Sequence, residues 1–408
     1  MKKNIVLIGS ALSGNKGAAA MLESAIQTLG ARYEDVHFTL LSMYPIEDAQ
    51  QNGYKNLTVL DASPLKLGVT INSLALFYRV IPPARDFILQ NSKTIRALKT
   101  ADVLLDQGGI TFVDGREKFL IYNVASILPA LMVGTPVVKC AQALGPFKNP
   151  INKAAANYFL PKMAAIVSRG SITHSYLETL KLSNVTAGAD YAFSLELTKD
   201  EERSAKNKFK LPFKKSTKVV GVSPSVVMQK KVAASGGDYS KEIVDFIDYL
   251  TGKGYGVMLV PHSVRTGTDK THNNDMPLCK EIFSALHNKE MCMFLDEELT
   301  SQELRYWIGQ CDYFVASRFH AMVSSLAMSV PTLVIGWSHK YKEVLEMFEL
   351  EEWAFGQDKL NHEYITSEFD RLVESDKDVR SKLQKNLKSV KTASAKQVKV
   401  IESVINKK

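Results

Sequence analysis

Val315-Ala316-Ser317-Arg318-Phe319-His320-Ala321-Met322-Val323, continued by Met328-Ser329-Val330-Pro331-Thr332-Leu333-Val334-Ile335-Gly336, reads as strand, helix and strand in succession. The apolar run 313–316 is too short and too uniform for an amphipathic helix and fits a strand covered on both faces. Where it stops, an arginine and a histidine stand at the start of a helix. The first N–H groups of a helix lack intrahelical acceptors and sit at the positive end of its dipole, so such a junction attracts anions. Arg318 adds a planar fork suited to carboxylate or phosphate, and His320 a group able to move protons near neutral pH.

The same pattern repeats on either side. In the second half, a strand at 219–223 precedes Pro224-Ser225, and an amphipathic helix covers 239–250. A strand at 256–260 ends in Pro261-His262-Ser263; a polar loop at 269–275, a helix at 277–286, a strand at 291–295 and a helix at 302–310 capped by Thr300 follow. In the first half, the strand 5–8 runs into Gly9-Ser10-Ala11-Leu12-Ser13-Gly14-Asn15-Lys16-Gly17, and Met21, Leu22, Ala25, Ile26 and Leu29 mark one face of a helix over 18–29. Strands at 36–41, 57–60 and 101–105 come next, the last closed by Asp106-Gln107-Gly108-Gly109. Beyond a helix at 121–131, the strand 136–140 ends at Ala141-Gln142, and 164–168 ends at Arg169-Gly170-Ser171, with Ser171 as the cap of a helix over 172–180. Two βα runs in succession predict an α/β protein with two Rossmann-like domains facing each other across a cleft, the GT-B architecture. The expected boundaries are an N-terminal domain at 1–198, a charged helix and linker at 199–218, a C-terminal domain at 219–360, and a helical tail at 361–408.

Length and composition agree. A chain of 408 residues suits two domains, and 45% hydrophobic with 23% charged residues is the balance of a packed globular protein. The formal charge of +8 favours an anionic partner, although much of it lies in 206–218 and after Lys377, where solvated faces account for it. No aromatic-and-basic motif for nucleic acid is present. The four cysteines show no CxxC and no metal-type spacing, which points to a reducing, cytoplasmic setting and to no metal site. The run 119–138 is broken by Asn123, Pro129, Gly134 and Pro136 and is a poor membrane span. The segment 64–89 is different: Leu65, Leu67, Val69, Leu76 and Phe77 are flanked by Lys66, Arg79 and Arg85. It reads as an insertion on the core, with peripheral contact to the inner face of a membrane as the other expectation.

Taken together, Gly14-Asn15-Lys16-Gly17, Gly108-Gly109, Gln142-Ala143-Leu144-Gly145-Pro146-Phe147, Arg169 with Ser171, Asp190 before Phe193, Pro261-His262-Ser263, Ser317-Arg318-Phe319-His320-Ala321, Pro331 and Lys340 resemble the polysaccharide pyruvyl transferase family. The resemblance implies transfer of a pyruvyl group from phosphoenolpyruvate to two hydroxyls of a sugar in a cell-surface polysaccharide or its precursor, giving a cyclic ketal and phosphate. It calls for no cofactor. It implies a donor site of Arg318, Lys340, Ser317 and Arg169, the last reaching across from the first domain, with His320, Arg318 and His262 as catalytic groups. Asn15, Gly108, Gly109 and Gln142 are the expected acceptor side, and the acceptor, lipid-linked or free, is the expected partner. The competing expectation is a nucleotide-sugar glycosyltransferase of the same architecture, supported by the E-x7-E pair Glu343 and Glu351.

Overall fold

The computed structural model describes residues 2–265, 273–336 and 339–407, with only the backbone of His339 included. Most of the polar loop expected at 269–275 lies outside the described residues; Asn273, Asn274 and Asp275 lie within them. The chain divides into two compact units. The first comprises Met1–Ser13, Ala18–Leu195 and Lys391–Lys408, and the second Gly14–Gly17 and Glu196–Val390. The cut between the two units falls at 195/196. The end of the chain, however, groups with the first unit, and a four-residue piece of the first glycine-rich loop groups with the second.

Among the described residues, the first unit holds an eight-stranded sheet in which every pairing is parallel. Its main path runs Leu57–Asp61, Val36–Ser42, Lys3–Ile8, Val103–Asp106, Val137–Gly145, Ala165–Ser168, Val185–Ala187. The strands are apolar because helices cover both faces: Ile5, Val6, Leu7 and Ile8 are all buried, as are Val103, Leu104 and Leu105. One strand is longer than its sequence suggests. It continues through Ala141, Gln142 and Ala143 to Gly145, every residue buried, so Gln142 stands within the sheet and not in a loop beyond it. At 171 the expected cap is corrected: Gly170 holds the N-cap position with extended backbone, and Ser171 is the first residue of the helix Ser171–Glu178.

The second unit repeats the plan with six parallel strands in the order Cys292–Phe294, Gly256–Leu259, Val219–Ser223, Tyr313–Ala316, Thr332–Ile335, Ala354–Phe355. Gly14–Asn15 forms a small antiparallel pair with Ser263–Val264 in this unit. Each sheet has one place where the chain order reverses direction. In the first it falls between Lys3–Ile8 and Val103–Asp106, and in the second between Val219–Ser223 and Tyr313–Ala316. Loops leaving the carboxyl ends of strands diverge there and open a crevice, the usual ligand position in such sheets.

Candidate active site

The reversal point of the second sheet lies between Ser223 and Ser317, whose backbones are joined by Ser317 N donating to Ser223 O at 3.0 Å. Arg318 follows as the N-cap of the helix Phe319–Ala327, held extended at φ −105°, ψ 132°. Its side chain does not cap its own helix. Nε and Nη2 donate to the two oxygens of Asp275 at 2.8 and 2.5 Å, and Nη1 donates to Asn273 Oδ1 at 2.7 Å. Burial works against the Arg318 charge, but the Asp275 carboxylate outweighs it and holds the guanidinium above its ordinary pKa. Among the described residues these bonds engage three of the five guanidinium N–H groups, which leaves one on each terminal nitrogen.

Asp275 does more than hold the arginine. It is fully buried, and its carboxylate also accepts from the backbone N–H of Val226 and of Ser263, both at 3.0 Å. Loops following three adjacent strands are thereby fastened to one carboxylate. Asp275 occupies the N-cap position of the helix Met276–Ala285, but its side chain is directed to Arg318 and makes no cap bond.

Ser317 is buried, with its hydroxyl accepting from Tyr239 Oη at 2.7 Å and its carbonyl from Tyr341 Oη at 3.2 Å. The hydroxyl of Ser223, also fully buried, has no hydrogen-bond partner among the described residues. Ser223 is the last residue of its strand, and Ser317 stands just beyond the end of the neighbouring one. His320 is half-buried and meets the Phe319 ring edge-on, the centroids 4.9 Å apart. Lys340 sits over the other side of this group, its Nζ 4.8 Å from the Phe319 ring centre and 5.2 Å from that of Tyr341.

The loop Gly14–Gly17 completes the arrangement. Lys16 N donates to His262 O at 3.3 Å, and Lys16 Nζ pairs with Glu298 at 2.9 Å in a nearly closed environment. Gly17 lies so close to His320 that an added Cβ would stand 2.0 Å from Nδ1. Gly14, at φ +72°, has the Arg265 guanidinium laid against it, within 2.7 Å of where a Cβ would project. His262 is 3% exposed. Burial first, then the positive neighbours His320, Arg318 and Arg305, push its pKa well below the ordinary 6.5, so it is neutral at physiological pH. Lys16, Arg265 and Arg305 are thus cations of this region that were not singled out from sequence. Arg305 lies on a helix, Ser301–Ile308, whose eight residues are all buried, a burial that residue spacing does not report. An isolated buried charge is costly, so an arginine there marks a polar interior.

Asn15 therefore belongs with His262 and His320 in the second unit, its side chain accepting from Gly17 N at 3.1 Å. Gly108, Gly109, Gln142 and Arg169 gather instead at the reversal point of the first sheet. Gly108 N donates to Asp106 Oδ1 at 3.0 Å, and a Cβ on Gly9 would fall 2.6 Å from Gly108 N, so these two loops touch through bare backbone. Gln142 donates to Asp106 O at 2.7 Å and accepts from Thr111 at 2.5 Å. Arg169 is 1% exposed, pairs with Asp190 at 3.5 Å, and has Nη1 3.6 Å from the Cβ position of Gly109. Beneath them Lys139 and Asp106 form a wholly buried pair at 2.5 Å. Of the two glutamates cited for the glycosyltransferase reading, Glu343 is fully buried and Glu351 is exposed.

Two units of parallel α/β sheet, each with a polar or glycine-rich reversal point, define a GT-B-like protein. Solved structures agree at the level of fold. The chain is similar to S. aureus MnaA in a co-structure with UDP (13% identity, 100% of this chain and 97% of the other, TM-score 0.64) and to UDP-GlcNAc 2-epimerase from Neisseria meningitidis bound to UDP-GlcNAc (12% identity, 99% and 100%, TM-score 0.62). The sequence model of the polysaccharide pyruvyl transferases matches residues 15–339, and the chain belongs to that family. It is also similar to the amylovoran biosynthesis protein AmsJ of Erwinia amylovora, 22% identical over 95% of this chain and 99% of that one. The chain is accordingly a transferase of pyruvyl groups, with a sugar or polysaccharide as acceptor.

Proposed function

We propose that phosphoenolpyruvate is the donor and that the product is a cyclic pyruvate ketal on two hydroxyls of a sugar in an exopolysaccharide or its precursor, lipid-linked or free. The observation that carries this reading is the Arg318 junction. An arginine with one N–H left on each terminal nitrogen stands at a helix N-terminus, with two histidines in the same region. A donor bearing both carboxylate and phosphate requires converging positive groups of this kind. Arg318 and Lys340 bind its two anionic groups, and Ser317 orients the loop beneath them. Asn15 joins this group in the second unit, Gly108, Gly109 and Arg169 are proposed as binding groups at the strand ends of the first, and Gln142, satisfied within its strand, braces that edge.

His262 is neutral at rest and so has a ring nitrogen able to take a proton, and we assign it the base and His320 the acid. His320 protonates the methylene carbon of the donor. The first sugar hydroxyl attacks the resulting cationic carbon and gives its proton to His262. The carbon–oxygen bond to phosphate then breaks, and the second hydroxyl closes the ring. Of the two hydroxyl protons released, one balances the new methyl group and the other leaves on inorganic phosphate. The scheme uses no metal or redox cofactor. Four buried, unpaired cysteines support a reducing, cytoplasmic location.

The test is mass spectrometry of candidate glycans incubated with the protein and phosphoenolpyruvate. The expected product carries one ketal, and His320→Ala abolishes it while circular dichroism stays unchanged. Calorimetric binding of a nucleotide sugar, with none of phosphoenolpyruvate, would transfer the assignment to glycosyl transfer.

A further inference from the structure

In the first unit, a π-helical turn over Lys66–Ile71 runs straight into the α-helix Asn72–Val80, and Arg85–Asn91 follows after Pro82-Pro83. Leu67, Ile71, Ala75 and Tyr78, spaced four, four and three, form the inward face and are 8% exposed or less. This face rests on the helix Leu120–Val133, to which it is pinned by Asn72 Nδ2 donating to Ala125 O at 3.1 Å. The outward face carries large apolar residues too, beside the exposed Lys66, Thr70, Ser73 and Arg79. Leu65, Val69, Leu76 and Val80, spaced four, seven and four, are 78%, 57%, 45% and 59% exposed, with Phe77 at 49% and Phe87 at 70%. A solvated helix carries mostly charge on its outer face, and this many exposed large apolar side chains on one segment mark an interaction site.

We propose that this face docks on an anionic lipid bilayer. The charges flanking it decide among possible occupants. Arg79 lies between Phe77 and Val80, and Lys66, Arg85 and Lys118 are exposed in the same unit, against the acids Asp61, which pairs with Lys66 at 3.1 Å, Asp86 and Glu117. Apolar side chains interleaved with a basic excess are the signature of an element lying in the plane of a membrane interface, where rings enter the acyl boundary and cations meet headgroups. Among the described residues no helix is long and apolar enough to cross a membrane, so the contact is one of surface. This docking stands independently of the donor assignment, and either can fail alone.

The experiment is cosedimentation of the full chain with phosphatidylcholine vesicles, with and without about one third phosphatidylglycerol, alongside light scattering of the protein alone. The wild type pellets with the anionic vesicles at low salt. The variant Leu76→Ser, Phe77→Ser, Phe87→Ser binds at least about tenfold more weakly, because it loses three apolar groups that enter the interface. Arg79→Glu with Lys118→Glu removes the preference for anionic lipid. These positions are exposed, so unchanged thermal unfolding verifies the fold of each variant. Three results overturn the proposal: no pelleting of the wild type, equal pelleting of the triple variant, or a stable dimer that the triple variant dissociates.

Discussion

Replacing Gly17 by alanine places a methyl carbon 2.0 Å from Nδ1 of His320, 2.2 Å from Cγ and 2.5 Å from Cβ. The gap must widen by roughly 1.4 Å before the nearest pair regains the 3.4 Å of ordinary contact. The loop has little freedom to retreat, because Lys16 N is bonded to His262 O, Lys16 Nζ to Glu298, and Gly17 N to Asn15. The imidazole therefore moves. Crowding of this kind costs about 1–3 kcal/mol of stability. Displacing a reacting group by about 1 Å costs on the order of a hundredfold in rate. Gly17→Ala should thus lower kcat about a hundredfold in an assay of phosphate released from phosphoenolpyruvate with acceptor present. KM for the donor should change much less, since Arg318 is held by Asp275 and Asn273 and not by this loop. A second variant separates packing from chemistry. In Gly17→Ala with His320→Ala the ring atoms at 2.0 and 2.2 Å are gone while Cβ at 2.5 Å stays, so part of the melting temperature lost in Gly17→Ala should return, with no activity beyond that of His320→Ala. A Gly17→Ala enzyme within twofold of wild-type kcat, or a double variant no more stable than Gly17→Ala, would refute the claim that this glycine sets the position of His320.

Two further outcomes follow from the same region. Asp275→Ala leaves the Arg318 guanidinium and the N–H groups of Ser263 and Val226 without their acceptor, which should cost about 3–5 kcal/mol in urea unfolding; a loss under about 1 kcal/mol would mean that solvent reaches the site freely. His262 is kept neutral in the folded chain, whereas in the unfolded chain it titrates near 6.5, so unfolding takes up a proton as the pH falls below that value. Its stabilising effect is complete above about pH 6.5 and is lost on acidification toward the folded pKa, by up to about 1.4 kcal/mol per pH unit. Comparing urea midpoints of the wild type and His262→Gln between pH 7 and 5 checks the sign: the variant should show the shallower decline.

The sheets were legible because parallel strands covered on both faces become short uniform apolar runs, and each run here stops at glycine, proline or a polar residue. The strand Val137–Gly145 was read too short for a related reason. Gln142 looks like the polar end of a run, but its carboxamide is satisfied within the sheet by Asp106 and Thr111, so the strand passes through it. Ser171 was misjudged as a cap because local sequence carries the propensity of a serine but not the extended backbone that Gly170 adopts one residue earlier.

Arg318 and His320 could be found from sequence since both lie within one strand–helix junction. Their supports could not. Asp275 is 43 residues from Arg318, and Glu298 is 282 residues from Lys16. Residue spacing reports the face of an element, not which loops meet when strands are ordered. Once Val219–Ser223 is known to lie between Gly256–Leu259 and Tyr313–Ala316, the loops after all three must leave the same edge side by side. An acidic residue in that edge can then fasten them together, and Asp275 is the one that does. This changes the meaning of the arginine. On an open loop Arg318 would pay the ordering of a long side chain each time an anion bound. Fixed by a buried carboxylate, it meets the anion already oriented, with the helix N-terminus behind it, and most of that ordering is completed when the chain folds.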